Sequence, residues 1–423
     1  MKRNRSAFEE RLACWPRAFW SPERIRLFQE QALRLMVRHA YREIPYYRRA
    51  FGRATVAPGD IRTLEDLAKL PPSTKSDLQN TTTGDRLVAG TPQEDCAVHH
   101  TSGSTGETMR IVRGFAEERY LLGRRLRAQI LSGLRPWDHR MIFGATPMRL
   151  LPHRLGLFRL SGTPFNLSSK ALMEEIERCR PTILKGPPAT FELLLDDYAE
   201  RLADLRFRRI FTGADQLPRR TRERLERTCN SLVVDFYGAT ECNLIAWQCL
   251  GCGIYHTCDD AVIVEVLHGD RPARPGEDGE VIITTLHSYV MPFIRFRIGD
   301  VVRIPAKKPQ CRIGFGAIER VQGRAVDYLR FPNGIRLSPY ALMEELEIIE
   351  GMGRYEVRQI SPLQVVVRYQ VIAGADNGLI GQRIQEQCRR VFPNDTELRI
   401  VAVESFQASP TEKRRFIANE CVS

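Results

Sequence analysis

Between His99 and Gly114 the chain reads HHTSGSTGETMRIVRG, with five hydroxyl side chains and three glycines running into arginines. Glycines let the backbone curl so that successive N–H groups converge, and Ser or Thr hydroxyls add donors. The chemistry on offer is the cradling of an anion, phosphate first. The Walker pattern for that task ends on Gly-Lys-Ser/Thr, whereas Gly106 is followed here by Glu107 and Thr108. Alone, such a run also reads as a flexible surface turn. A second group has the residue types of a metal site. CLGCGIYHTC places Cys249 and Cys252 in a C-x-x-C-G knuckle followed by His256 and Cys258, soft and borderline donors of the kind Zn2+ takes.

The elements that must position these groups follow from the apolar pattern. Ser21-Pro22-Glu23 starts a helix, and Ile25, Phe28, Leu33 and Met36 continue at helical spacing. RMIFGAT (140–146), TILKG (182–186), RRIFTGA (208–214) and SLVVDFYG (231–238) read as strands separated by helix-compatible segments, the rhythm of α/β layers with parallel sheet. EVIITTL (280–286) and DVVRI (300–304) are closer together and flanked by turn residues, which suggests an antiparallel or barrel-like part. After VQGRAVDY come YEVRQI, LQVVVRYQV, a helix near LIGQRIQEQCRRVF and then LRIVAVESF, a small α+β unit. The expected fold class is α/β, with a large N-terminal domain of layered sheets over 1–326 and a small α+β domain over 327–423.

A chain of 423 residues exceeds the usual limit for one core, and 63 basic against 51 acidic residues give a net charge of +12. That balance favours anionic ligands, but the basic residues form no long tract, so neither a nucleic-acid nor a membrane partner is expected. Glu9, Glu10 and Arg11 interrupt any export signal, and Cys242 to Cys258 is too short and too polar to span a bilayer. Eleven cysteines without a signal argue for reduced thiols and a cytoplasmic location.

The loop is followed in order by DFYGATE (235–241), FRIGD (296–300), QGRAVDY (322–328) and SPTEKRRF (409–416). The series resembles the adenylate-forming superfamily of acyl-CoA synthetases. REIPYYRRAF (42–51), TLEDLAKLPPSTKSDL (63–78), ILKGPPAT (183–190) and FTGAD (211–215) resemble its phenylacetate–CoA ligase branch, with capsule-associated and natural-product relatives. The resemblance implies an enzyme that activates a carboxylic acid with ATP as an acyl-adenylate and then passes the acyl group to an acceptor. Coenzyme A is the branch's commonest acceptor; an amine or a carrier protein are the alternatives. A rival of another class is a non-catalytic zinc-containing protein that binds nucleotide or nucleic acid.

On that resemblance Thr101, Ser102, Gly103, Ser104, Thr105 and Gly106 face the phosphates. Tyr237 and Gly238 border the adenine, Thr240 contacts the α-phosphate and Glu241 binds Mg2+, a hard ion suited to a carboxylate. Gly213, Ala214 and Asp215 match a segment at the nucleotide, where relatives carry Glu in place of Asp. Asp300 matches the aspartate that accepts hydrogen bonds from the ribose hydroxyls, and Arg324 matches an arginine near the nucleotide. Asp327 matches the hinge of a mobile C-terminal lid. Lys413 fits the lid lysine that reaches the α-phosphate, with Arg414 and Arg415 as rivals. Phe143, Gly144, Phe236, Ala239 and Ile245 are implied for the acyl pocket, whose character suits an aromatic or small cyclic acid. Some relatives hold a structural Zn2+ with the knuckle and a C-x-C-G before the GR motif. Here PQCRIG keeps Cys311 but has Pro309 where the first cysteine would stand, so four of Cys249, Cys252, His256, Cys258 and Cys311 are expected to close the site.

Overall fold

In the computed structural model, which describes residues 14–101, 109–144, 155–164, 167–406 and 416–421, these apolar rhythms become two units. One comprises Met1–Leu134, Phe236–Ile298 and Val302–Arg320, the other Arg135–Asp235, Gly299–Val301 and Val321–Ser423. No helix of the described residues is long and apolar enough to cross a membrane.

The first unit opens on the helix Pro22–Glu43, where the Ser21 hydroxyl accepts from the Arg24 N–H and Pro22 occupies the first turn. Its buried stripe of Ile25, Leu33, Met36, Val37 and Ala40 has the spacing read in the sequence. The strands Cys96–His100 and Arg110–Gly114 pair antiparallel and lead directly into the helix Phe115–Leu131. Val262–His268 lies between Arg271–Pro272 and Asp278–Thr285, antiparallel to both, and Phe296–Arg303 follows on the far side of Asp278–Thr285. That last strand begins four residues before the expected DVVRI run, so Gly299 and Asp300 lie inside it. Gly299 adopts φ 84°, a conformation that bends a strand and that a Cβ disfavours.

A buried ion pair fixes the interior of this unit. Asp260 receives two hydrogen bonds from Arg127, at 2.7 and 2.8 Å, and both side chains are fully buried. Arg127 also donates to the Cys14 carbonyl at 2.6 Å, tying the chain's start to the loop after Thr257. Burial pushes the Asp260 carboxyl up, but Arg127 and Arg124 outweigh it and hold the group at about 2.

In the second unit His139–Ile142 pairs parallel with Arg159–Gly162 on one side and Ile183–Gly186 on the other, and Ile183–Gly186 pairs parallel with Arg209–Gly213. Val233–Tyr237 is next in order. All four residues of Ile183–Gly186 and all five of Val233–Tyr237 are buried, which is why they read as unbroken apolar runs. The helices Ser169–Cys179, Pro188–Ala203 and Arg219–Cys229 place Ile176, Phe191, Leu195 and Leu225 in a common core with Met141 and Leu184.

The end of the chain folds around its own apolar cluster, running from Leu329 and Leu346 through Val357, Val367 and Ile384 to Ile417. Met352–Ser361 and Gln364–Val371 form an antiparallel pair. The helix Asn377–Val391, capped by Asp376, then carries the chain over to Glu397–Ala402, parallel to Gln364–Val371. A fourth strand, Ile417–Asn419, adds parallel to Met352–Ser361 and was not among the expected elements.

Asp260→Asn keeps the shape of the buried pair and removes its charge, leaving the Arg127 guanidinium uncompensated. Such breakage costs about 3–5 kcal/mol. Chemical denaturation should show a loss of that size, with Arg127→Met in the same background recovering part of it.

Candidate active site

Thr101 closes the base of the glycine-rich loop. Its N–H donates to the Met109 carbonyl at 3.0 Å, and the Met109 N–H donates to its hydroxyl at 2.8 Å. These bonds continue the ladder of the hairpin one step beyond Arg110 and His100, so the loop leaves from and returns to one fixed point. Ser102, Gly103, Ser104, Thr105 and Gly106 lie outside the described residues, as does Lys413.

The returning strand carries a group that the motif reading missed. Arg113 is only 3% exposed. Its Nε donates to Glu118 Oε1 at 2.6 Å and its Nη1 to the Thr240 carbonyl at 2.5 Å. Glu118 also faces His99 Nε2 at 2.6 Å. Burial pushes the Glu118 carboxyl up, but the His99 hydrogen bond and the Arg113 charge hold it at about 2. Next to it, Glu117 accepts from the backbone N–H groups of Gly114, Tyr289 and Val290 and so pins the start of the helix. The available signal was an arginine inside an otherwise apolar strand, IVRG, followed closely by two glutamates.

Thr240 belongs to a tight turn. Asn243 N–H donates to the Ala239 carbonyl at 2.8 Å, and Ile245 N–H to the Tyr237 carbonyl at 2.9 Å. A Cβ on Gly238 would stand 2.1 Å from the Asn243 carbonyl oxygen, so the turn closes only on glycine. Phe236, Tyr237 and Glu241 are buried here and Ile245 wholly so. Among the expected residues of the first unit, the structure thus links the Thr240–Glu241 turn, through Arg113, to the hairpin whose far end Thr101 closes.

The second unit holds the others. Asp300 faces Arg324, Oδ1 to Nε, at 3.8 Å. Asp327 is buried at the end of the short turn Ala325–Asp327. Ala214, just past the strand Arg209–Gly213, adopts φ 78°, and the preceding Thr212 hydroxyl donates to Asp235 at 2.6 Å. Phe143 packs its ring over Gly186, where a Cβ would come within 2.4 Å of Cδ2.

The metal-like residues also resolve. Ligand atoms of Cys249, Cys252, His256 and Cys311 all lie within 4.8 Å of one another. His256 Nε2 is 2.9 Å from Cys311 Sγ and 3.5 Å from Cys252 Sγ. On the other edge of the ring, Nδ1 lies 3.3 Å from the Gly316 carbonyl and 3.4 Å from that of Phe315. Carbonyls only accept, so Nδ1 carries the proton and Nε2 turns its lone pair toward the thiols, as in metal-ligating histidines. Cys258 stands outside the group. It is fully buried with Arg127 Nη2 3.8 Å from its sulfur, and burial pushes its thiol up to about 12.

The family of AMP-binding enzymes matches residues 136–291. The phenylacetate–coenzyme A ligase of Escherichia coli (strain K12) is 28% identical over 355 residues, 79% of this chain and 78% of that protein. That of Thermus thermophilus is 24% identical over 91% of this chain and 86% of its own length. These matches make the chain similar to the adenylate-forming enzymes, and in particular to their phenylacetate–CoA ligases. Its fold is that of solved members. A 2-hydroxyisobutyryl-CoA ligase in the postadenylation state aligns with a TM-score of 0.81 at 17% identity, covering 99% of this chain and 94% of that one. A benzoate CoA ligase from Burkholderia xenovorans LB400 aligns at 0.58 and 16% identity, over 80% of this chain and 71% of that one. In this chain Arg113 stands in the strand that follows the glycine-rich loop, and Glu118 in the helix after it.

Glu118 has an ordinary value of 4.5 and is depressed in the folded chain. The stability that it contributes is therefore present above about pH 4.5 and is lost as pH falls toward 2. Glu118→Gln should cost about 1–2 kcal/mol at pH 7, an amount discounted for its partial exposure. Denaturation curves at pH 7 and pH 3 should show the difference from the parent shrinking at the lower pH.

Proposed function

We propose that this chain is an AMP-forming ligase that activates an aromatic or small cyclic carboxylic acid and transfers it to coenzyme A. The observation that carries the reading is the match to phenylacetate–CoA ligases over 79% of the chain, together with a loop base closed by Thr101 and Met109 and a Thr240–Glu241 turn bonded to Arg113 of the same hairpin.

A carboxylate is a poor electrophile at neutral pH. Its oxygen attacks the α-phosphorus of ATP, pyrophosphate leaves, and the resulting mixed anhydride is open to attack by the CoA sulfur, with AMP leaving. Little proton chemistry is needed in the first step, so the protein's work is positioning and the management of negative charge. Thr101 and the loop Ser102–Gly106 supply donors to the phosphates. Tyr237 and Gly238 border the adenine with Gly213, Ala214 and Asp215, and Thr240 contacts the α-phosphate. Asp300 can only accept, which suits the two ribose hydroxyls, and Arg324 orients it. Lys413 neutralises charge as pyrophosphate departs. Phe143, Gly144, Phe236, Ala239 and Ile245 shape the acyl end. The Glu241 carboxylate, buried to 9% exposure, is a hard oxygen donor that would hold Mg2+. When bound, that ion offsets the charge of the phosphate oxygens.

The boundary between 326 and 327 separates a catalytic domain from a lid in this reading, with Asp327 as the hinge. The separate apolar cluster from Leu329 onward supports it. Cys249, Cys252, His256 and Cys311 form a complete soft donor set that would hold a structural Zn2+. A cytoplasmic location goes with this reading, since ATP and CoA are its co-substrates.

Acid-dependent exchange of labelled pyrophosphate into ATP tests the function, and Glu241→Gln should lower it roughly 100- to 1,000-fold with thermal stability nearly unchanged. Exchange that no acid stimulates, or full exchange in the variant, would refute the reading or this role for Glu241 respectively. Metal analysis should find about one zinc per chain, lost in Cys311→Ser and retained in Cys258→Ser, with the thermal midpoint falling in the former only.

A further inference from the structure

The guanidinium of Arg113 joins two parts of the chain that are far apart in sequence. On one side it meets Glu118 Oε1 at 2.6 Å, and on the other the Thr240 carbonyl at 2.5 Å. Glu118 sits in the helix Phe115–Leu131 and is held from the opposite strand of the hairpin by His99 at 2.6 Å. The strand that carries Arg113 begins next to Met109, whose backbone closes the loop on Thr101. The carbonyl of Thr240 shares its rigid peptide plane with the N–H of Glu241, so fixing that oxygen fixes the direction in which Glu241 leaves the turn.

We propose that Arg113 is a positioning residue for adenylation, setting the Thr240–Glu241 turn in register with the hairpin Cys96–His100/Arg110–Gly114 from which the glycine-rich loop springs. The inference rests on the function proposed above, in which the loop and that turn serve the same phosphates. Arginine is the one side chain that can do this. Its planar fork directs donors at a carboxylate and a carbonyl together, whereas a lysine ammonium satisfies the carboxylate as a point charge and leaves the carbonyl unheld. Arg113 needs no contact with substrate. It acts by preventing the small displacement between hairpin and turn that would misplace the α-phosphate, and displacements of that kind cost rate steeply.

Arg113→Lys separates this role from a structural one, because it keeps the charge opposite Glu118; Arg113→Met removes both links. In Arg113→Lys the expected result is a melting midpoint near that of the parent and an acid-dependent exchange rate lowered about 100-fold. Conversion of a supplied acyl-adenylate to acyl-CoA should stay within about twofold of the parent. Binding of Mg-ATP, followed by calorimetry without any acid, should weaken in the variant and lose its dependence on Mg2+. Parent-like exchange in Arg113→Lys, or an equal slowing of both half-reactions, overturns the positioning role while leaving the function standing. A parent protein that binds no Mg-ATP and shows no exchange overturns the function, and this inference with it.

Discussion

Arg113 sits between a carboxylate and a backbone carbonyl at 3% exposure, and the arrangement of the first unit's site depends on that bridge. The hairpin strand that carries it is short, the loop at its tip is rich in glycine, and the Thr240 turn closes on backbone bonds from Asn243 to Ala239 and from Ile245 to Tyr237. A glycine-rich loop gains reach at the cost of rigidity. Around it Thr101 and Met109 close the loop's base, Glu117 fixes the helix that follows, and Arg113 bonds across to the Thr240 turn. An enzyme whose first step is dominated by phosphate charge requires donors and cation ligand to be placed before the substrate arrives.

Two further anchors fix the surroundings of that turn. The chain leaves it through Ile245, reaches the Cys249–Cys252 knuckle, returns through His256 and arrives at Asp260. The knuckle gathers His256 and Cys311 from a distant loop, and Asp260 meets Arg127 on the helix that begins just after Arg113. Cys258 falls between these anchors and belongs to the second. Its sulfur points to the guanidinium, not to the other thiols.

Much of the fold was legible because burial on both faces leaves continuous apolar runs. The runs at 140–146, 182–186, 208–214 and 231–238 became the strands His139–Ile142, Ile183–Gly186, Arg209–Gly213 and Val233–Tyr237. Arg159–Gly162 carries a single large apolar residue in four and is an edge strand, and Ile417–Asn419 is three residues long; neither gives a periodic signal. The motifs named the residue types for phosphate, ribose and metal, because those tasks restrict side-chain chemistry. They were silent on Arg113: an arginine in an apolar strand marks a buried partner, but a contact across 127 residues gives no sequence pattern that names it. The ligand set of the knuckle was open for the same reason. Spacing allowed five donors, and only the packing of Arg127 against Cys258 removes one.

Between the phosphates and the acyl group the account makes one central claim, that a carboxylic acid is activated as its adenylate and then handed to a thiol. Mass spectrometry of a single turnover tests it most directly. With ATP, Mg2+ and phenylacetate in the absence of CoA, the account predicts acyl-adenylate and pyrophosphate in equal amounts, or the same with another aromatic or small cyclic acid from a panel. Adding CoA should then turn the adenylate into acyl-CoA and AMP. Formation of ADP and phosphate instead, or no adenylate from any acid of the panel, would contradict the account.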